Sequence, residues 1–185
     1  KTVRRQRQMC IRDSITREVD RIDKLVSTME DFSDPRPLQK SPQNIHEILD
    51  HAQKVVCQGT HKSLTIKTLY DPSLPLISGH WDKLVQVFIN LIKNGVEALP
   101  VENGVLTIST AYSHGMRMNI PGSAQAVTLP IEITITDNGP GISDDILPQI
   151  FEPFVTTKTN GKGLGLALVA KLIAEHGGVI DCETQ

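Results

Sequence analysis

The chain has little that could staple it together. Its three cysteines, Cys10, Cys57 and Cys182, lie far apart and none belongs to a C-x-x-C pair. That spacing argues against a disulfide framework or a thiolate zinc site and fits a reducing, cytoplasmic setting. Long apolar runs are missing too. Stretches such as LGLALVA (164–170) fall far short of the ~18 residues a membrane span requires, so no membrane segment is expected. Neither sign of charge dominates. Lys and Arg number 19 against 21 Asp and Glu, a net charge of −2, which removes any general reason to expect nucleic-acid binding. No leader segment, repeat or low-complexity tract is visible. What the chain does have is 39% hydrophobic content over 185 residues, enough for one core with an appended element.

Organisation emerges from periodicity. Ile15, Val19, Ile22, Val26 and Met29 step by four and three, the seam of a helical bundle or coiled coil. Upstream the same register falls on Arg12, Gln8, Arg5 and Lys1, so the seam stops near Ser14. Residues 1–12 carry Lys1, Arg4, Arg5, Arg7 and Arg12 without an acid, and 1–14 read as non-native or disordered sequence rather than as a basic arm. A bundle helix is therefore expected at 15–34 and a proline-rich linker at 35–43, where DFSDPRPLQKSP ends the seam. A second domain should fill 44–185.

Within that domain, residues 45–58 place Ile48, Leu49, Ala52, Val55 and Val56 on one helix face. LTIKTLY (64–70) alternates as a strand, and a helix follows from about His80 to Leu99. VLTISTAY (105–112) and IEITITD (131–137) are β-branched strands, joined by an excursion from His114 to Pro130. A short helix near 144–150, a glycine stretch and a helix from about Gly163 to His176 come next. Gly177 and Gly178 supply a helix stop, and VIDCE (179–183) reads as a last strand. Strands and helices mix without regular β-α-β alternation, which predicts an α+β sheet with helices on one face.

The helix WDKLVQVFINLIKNGVEAL (81–99) has two faces. Leu84, Val87, Phe88, Leu91, Ile92, Ala98 and Leu99 form an apolar stripe; Gln86, Asn90, Asn94 and Glu97 form a polar one. Asparagine is a poor helix-interior residue, so two of them four apart suggest a use. A carbonyl oxygen there could ligate magnesium while phosphates and waters complete the shell; the plainer reading is a solvated face. At the end of a strand, TDNGPGI offers Asp137, which can accept a hydrogen bond from an exocyclic amine such as adenine's. Gly139 and Gly141 would let a ring slide against backbone, although DNG is also an ordinary turn. FVTTKTNGKGLGLALV (154–169) then spends Gly161, Gly163 and Gly165 ahead of a helix start, a seat for phosphate. It is not a Walker A loop, since no Ser or Thr follows GK, and GKGLGL is not G-x-G-x-x-G.

Taken in order, the asparagine helix, the D-x-G-x-G turn, FEPF (151–154) and G-x-G-L-G-L resemble the ATP-binding domain of sensor histidine kinases. That domain belongs to the larger gyrase, Hsp90, histidine kinase and MutL superfamily. The resemblance runs from about Ile15 onward. DPSLP, LVQVFINLIKNGVEAL, DNGPGI and IFEPFVTTKTNGKGLGLALVAKLIAEHGG are similar to the nitrogen-regulation sensor kinases of NtrB type. It implies a two-layer α/β sandwich of the Bergerat type, preceded by one helix of a dimerisation bundle, with ATP and Mg2+ as cofactors.

Position by position, Asn90 and Asn94 match the asparagine box, with Asn94 the implied metal ligand. Asp137 matches the adenine-binding aspartate, with Gly139 and Gly141 beside it. Phe151 and Phe154 match the hinge of an ATP lid that takes in Thr156 and Thr157 and runs to about Lys162. Gly161, Gly163 and Gly165 match the phosphate-facing glycines, and Lys158 is either a phosphate contact or a solvated lid charge. Lys162 departs from the small hydroxyl residue expected before GLGL. Asn90 stands where gyrase-like and Hsp90-like ATPases carry the glutamate that activates water, so the resemblance implies phosphoryl transfer to histidine rather than to water. The alternatives are a water-hydrolysing ATPase, an inert nucleotide-binding module and a serine-directed anti-sigma kinase, the last disfavoured by the heptad helix.

The implied partners are a response-regulator receiver domain of the NtrC type, a second copy of the chain through the bundle, and a PII-type regulator. The phosphoacceptor histidine is expected ahead of residue 1. His46 in HEILDHA is a poor candidate, because it follows the dimer helix and lacks an Asn-Pro ending. The chain is also expected to stop short of the domain's last strand.

Overall fold

The computed structural model describes residues 19, 36–59, 64–113, 117–118, 127–128, 130–158 and 161–184. Two units separate, Lys1–Pro37 and Leu38–Gln185. In the first, Val19 is helical and 49% exposed; the rest of the heptad seam, and the expected segment at 1–14, lie outside the described residues.

The second unit runs β1 (Ser41–Gln43), α1 (Ile45–Gln58), β2 (Thr65–Leu69), β3 (Ile77–Gly79), α2 (Trp81–Ala98) and β4 (Val105–Tyr112). After these come β5 (Arg117–Met118), β6 (Val127–Thr128), β7 (Ile131–Asp137), a 3-10 turn (Leu147–Gln149) and α3 (Gly165–Glu175). The main sheet has the order β2-β4-β7, with β2 parallel and β7 antiparallel to β4. Small antiparallel pairs, β1 with β3 and β5 with β6, stand beside it.

Period-two alternation explains the sheet. Leu106, Ile108 and Thr110 of β4 are buried, and opposite them in register lie Asp137, Ile135 and Ile133 of β7. Directly opposed residues share a face, so the inward row of β7 ends on Asp137, which is carried to the rim of the helix-covered side. The other face reads Thr107, Ser109, Thr134 and Thr136, small polar residues suited to solvent.

Helices α1, α2 and α3 cover the inward face, with α2 central, packed against α1, α3 and β7. Helix α1 starts at Asn44, whose side chain accepts the His46 N–H at 3.0 Å and bonds Glu47 at 3.2 Å, a local cap. It buries Ile45, Ile48, Leu49, Ala52 and Val56. Val55, expected on that face, is 40% exposed, because 100° per residue turns it to the flank. On α2 the buried set includes Val85, Gly95 and Val96, which widen the expected stripe, while Ala98 in the last turn is exposed. Helix α3 closes in a Schellman arrangement. Gly177, at φ 79, donates to Ala174 O, and Gly178 donates to Ile173 O, each at 2.9 Å.

Three expectations change. VIDCE forms no ladder among the described residues: the Cys182 N–H turns to the adjacent Asp181 carboxylate at 2.8 Å, a local bond that competes with strand pairing. The helix near 144–150 shrinks to the turn Leu147–Gln149, where Pro148 has no N–H to extend a ladder. Ser41–Gln43, inside the expected linker, is β1; Pro42 is tolerated because that strand lies at the edge of a two-stranded pair.

Candidate nucleotide site

Helix α2 carries Asn90, Asn94 and Glu97 along one side. Asn90 donates its amide to Gln86 O at 3.0 Å. Its carbonyl oxygen faces the start of α3, 3.5 Å from where a Cβ on Gly165 would sit. One turn further on, Asn94 Oδ1 accepts from Lys158 Nζ at 2.9 Å, and the same ammonium pairs with Glu97.

Between Asn94 and Val96 the helix has glycine. A Cβ at Gly95 would come within 2.6 Å of Leu106 Cδ1 and 3.7 Å of Asp137 Oδ2. The bare backbone of Gly95 lets α2 cross close to the ends of β4 and β7, with the end of the Leu106 side chain as its nearest neighbour. Asp137 therefore arrives beside the turn of α2 that bears Asn94. Its Oδ1 accepts the Gly139 N–H at 2.9 Å, folding the chain into a tight turn. A Cβ at Gly139 would lie 2.7 Å from Ala98 O, so the turn presses on the end of α2. Gly141 has φ 73, a left-handed backbone that glycine adopts without strain. Asn138 braces the same turn, accepting from Val105 N–H and donating to Asn103 O, both at 2.8 Å.

The segment leading to α3 is closed on itself. Phe154 (φ 70) donates its N–H to Gly163 O at 2.8 Å, and Gly163 has φ 64. A Cβ at Gly163 would meet the Phe154 carbonyl carbon at 2.3 Å, which makes glycine obligatory there. Lys158 N–H bonds Thr156 Oγ1 at 3.1 Å, and Gly161 N–H bonds Lys158 O at 2.9 Å. Phe151 is half-buried, Thr157 exposed, Lys162 half-buried, and Phe154 is 71% exposed. The N-cap of α3, Leu164, provides no side-chain acceptor, so first-turn N–H groups are left for an anion.

Asn90, Asn94, Lys158 and Gly165 thus gather on one side of α2, with Asp137, Gly139 and Gly141 at the adjoining rim. Two contributors escaped the sequence reading. Gly95 had a signal, since glycine inside a helix costs roughly 1 kcal/mol against alanine and needs a reason. Asn138 had none, being indistinguishable from any turn asparagine. His46 belongs elsewhere: its Nε2 lies 3.0 Å from Thr110 Oγ1 and its ring stacks on Tyr70 at 4.6 Å, toward the opposite end of β4.

An ammonium already sits against Asn94 Oδ1 and the Glu97 carboxylate, so the spot accepts a cation and its oxygen donors suit a hard one. Among the described residues no cluster of three or more His, Cys, Asp or Glu could hold a metal alone. A cation at this spot would need ligands from elsewhere, as magnesium bound to phosphate does. No described helix is long and apolar enough to cross a membrane.

Architecture and element order are those of a histidine kinase ATPase fold, a two-layer α/β sandwich. The chain belongs to the family described as histidine kinase-, DNA gyrase B-, and HSP90-like ATPase, whose profile matches residues 79–185. It is 49% identical over 169 residues to the sensory histidine kinase/phosphatase NtrB of Rhizobium leguminosarum bv. phaseoli, covering 91% of this chain and 44% of that protein. The chain therefore spans less than half the length of that relative. Full-length ShkA, solved in complex with AMPPNP, is 26% identical with a TM-score of 0.66, over 90% of this chain and 34% of ShkA. Histidine kinase ThkA, solved in complex with the response regulator protein TrrA, shares the fold at 24% identity and a TM-score of 0.65, over 89% of this chain and 43% of ThkA.

Proposed function

We propose that this chain is the ATP-binding catalytic part of a cytoplasmic two-component sensor histidine kinase of the nitrogen-regulation type. In this reading Asp137 accepts the adenine amine, with Gly139 and Gly141 giving the ring access to backbone. Asn94 ligates Mg2+, and Asn90 orients the phosphates beside it. The α3 N-terminus, with Gly161, Gly163 and Gly165, faces the phosphates. The segment with Phe151, Phe154, Thr156, Thr157 and Lys162 covers them, and Lys158 is within its reach. Bound magnesium would neutralise charge on the transferring phosphoryl group. The γ-phosphoryl then passes to a histidine of a helical bundle formed by two copies, and on to a receiver domain of the NtrC type. A PII-type protein would set the balance of activities.

The observation that supports this most is the convergence of Asn94 and Asp137 at Gly95, with an amide rather than a carboxylate at Asn90. A site without a base for water keeps ATP for a protein acceptor. Calorimetry of the purified chain with ATP and ADP, with and without magnesium, tests it. Magnesium-dependent binding is expected. No binding of either nucleotide would overturn the reading.

A further inference from the structure

The Lys158 ammonium is held by two side chains of α2. Asn94 and Glu97 stand one turn apart on α2, so their side chains reach the same spot, and the Lys158 ammonium fills it. Its backbone is fixed from the other side, since Thr156 Oγ1 takes its N–H and its carbonyl takes the Gly161 N–H. Lys93 also approaches Glu97, on the opposite carboxylate oxygen at 3.9 Å. Glu97 thus has a specific partner, and that partner occupies the amide oxygen to which the site reading assigns a metal.

We propose that Glu97 is a latch residue. It holds the Lys158 ammonium on Asn94 in the nucleotide-free protein, and a cation arriving with nucleotide must displace that ammonium to reach the amide oxygen. The displacement step rests on the nucleotide reading above; the latch contact does not. A metal ion on the same amide oxygen would stand against the like charge of the ammonium, so Mg-nucleotide and the Lys158 contact compete. The exchange is uphill by little, because both partners are largely solvated, with side chains 45% and 41% exposed. Once released, the ammonium is available to an anion.

Glu97→Gln keeps the shape and removes the charge, at an exposed position where folding is not at stake. Two measurements on the whole chain are needed. In nucleotide-free protein, amide hydrogen exchange at residues 155–158 and 161–163 should rise about two- to fivefold, the weight of an exposed ion pair. Mg·ADP should bind tighter by a similar factor, about two- to fivefold, since the competitor has been loosened. Both changes are required, and either one alone overturns the latch. Weaker Mg·ADP binding would overturn it as well, by showing that Glu97 attracts the metal. Wild-type protein that fails to bind Mg·ADP would sink the nucleotide reading itself. Wild-type binding with no effect of the substitution would sink only the latch.

Discussion

At Gly95 two opposed effects can be weighed directly. Alanine is the better helix former by about 1 kcal/mol, so Gly95→Ala should stabilise α2 if nothing else mattered. Its Cβ would, however, stand 2.6 Å from Leu106 Cδ1, and overpacking of that kind costs about 1–3 kcal/mol. Net destabilisation in urea unfolding is expected, because Leu106 is fully buried and has little room to yield; a more stable variant would refute the crossing as described. Asn138→Ala acts on the same turn by another route. It removes two solvent-exposed bonds, to Val105 N–H and Asn103 O, whose groups water can then reach, and should cost about 0.5–1.5 kcal/mol in the same unfolding assay. Asp137→Asn tests chemistry more than packing. Replacing an acceptor-only carboxylate by an amide should weaken ATP about tenfold to a hundredfold, from a loss of ~1.5–3 kcal/mol. GTP, which offers a carbonyl where adenine has its amine, should suffer less. A uniform loss across nucleotides would point to a damaged turn.

Between elements, His176 couples the end of α3 to the start of α2. Its Nε2 accepts the His80 N–H at 3.1 Å, and its Nδ1 lies 2.6 Å from Leu172 O. Both bonds together require the neutral ring with its proton on Nδ1. Burial holds the His176 pKa below the ordinary 6.5, as do Lys40 and His80; the Leu172 carbonyl and Glu175 pull the other way. A depressed pKa means that the unfolded chain takes up the proton first. The stabilising contribution is therefore full above about 6.5 and is lost as pH falls from there through the folded-state value. Unfolding midpoints should decline below that pH, and His176→Gln should flatten the decline while lowering stability at neutral pH. An unchanged slope in the variant would remove His176 from the linkage. The same scale shows what sequence could reveal. Helices α1 and α2 and strands β4 and β7 were readable because one periodic face meets one core. VIDCE carried the same β-branched signal, yet a side-chain bond at Asp181 replaced the ladder, and periodicity cannot foresee such a local competitor. The β1–β3 pair was invisible for a different reason: its register depends on how distant segments meet.

For the whole molecule, the ordered motifs announced the fold, while the crossing that joins them did not show. Asn90, Asn94, Asp137 and the glycines could be named from spacing and resemblance, but that Gly95 brings two of them together depends on packing between α2, β4 and β7. The contact of Lys158 with Asn94 and Glu97 likewise needs the segment after Phe154 folded back on α2. Turnover is a property of this whole assembly. Asn90 ties its amide to Gln86 O and presents an oxygen that is no useful base, so ATP bound here should be hydrolysed very slowly. Asn90→Glu places a carboxylate one helical turn from Asn94, on the side of α2 that faces α3. A well-positioned base contributes about 10²–10⁴-fold, but only where the covering segment also excludes solvent and holds the water in line. Nothing in the substitution supplies those, so a rise well short of that range is expected. The added negative charge should also weaken nucleotide binding, so rates must be compared at saturating Mg·ATP. Wild-type hydrolysis already as fast as that of gyrase-type enzymes would favour water over histidine as the acceptor and displace the kinase reading.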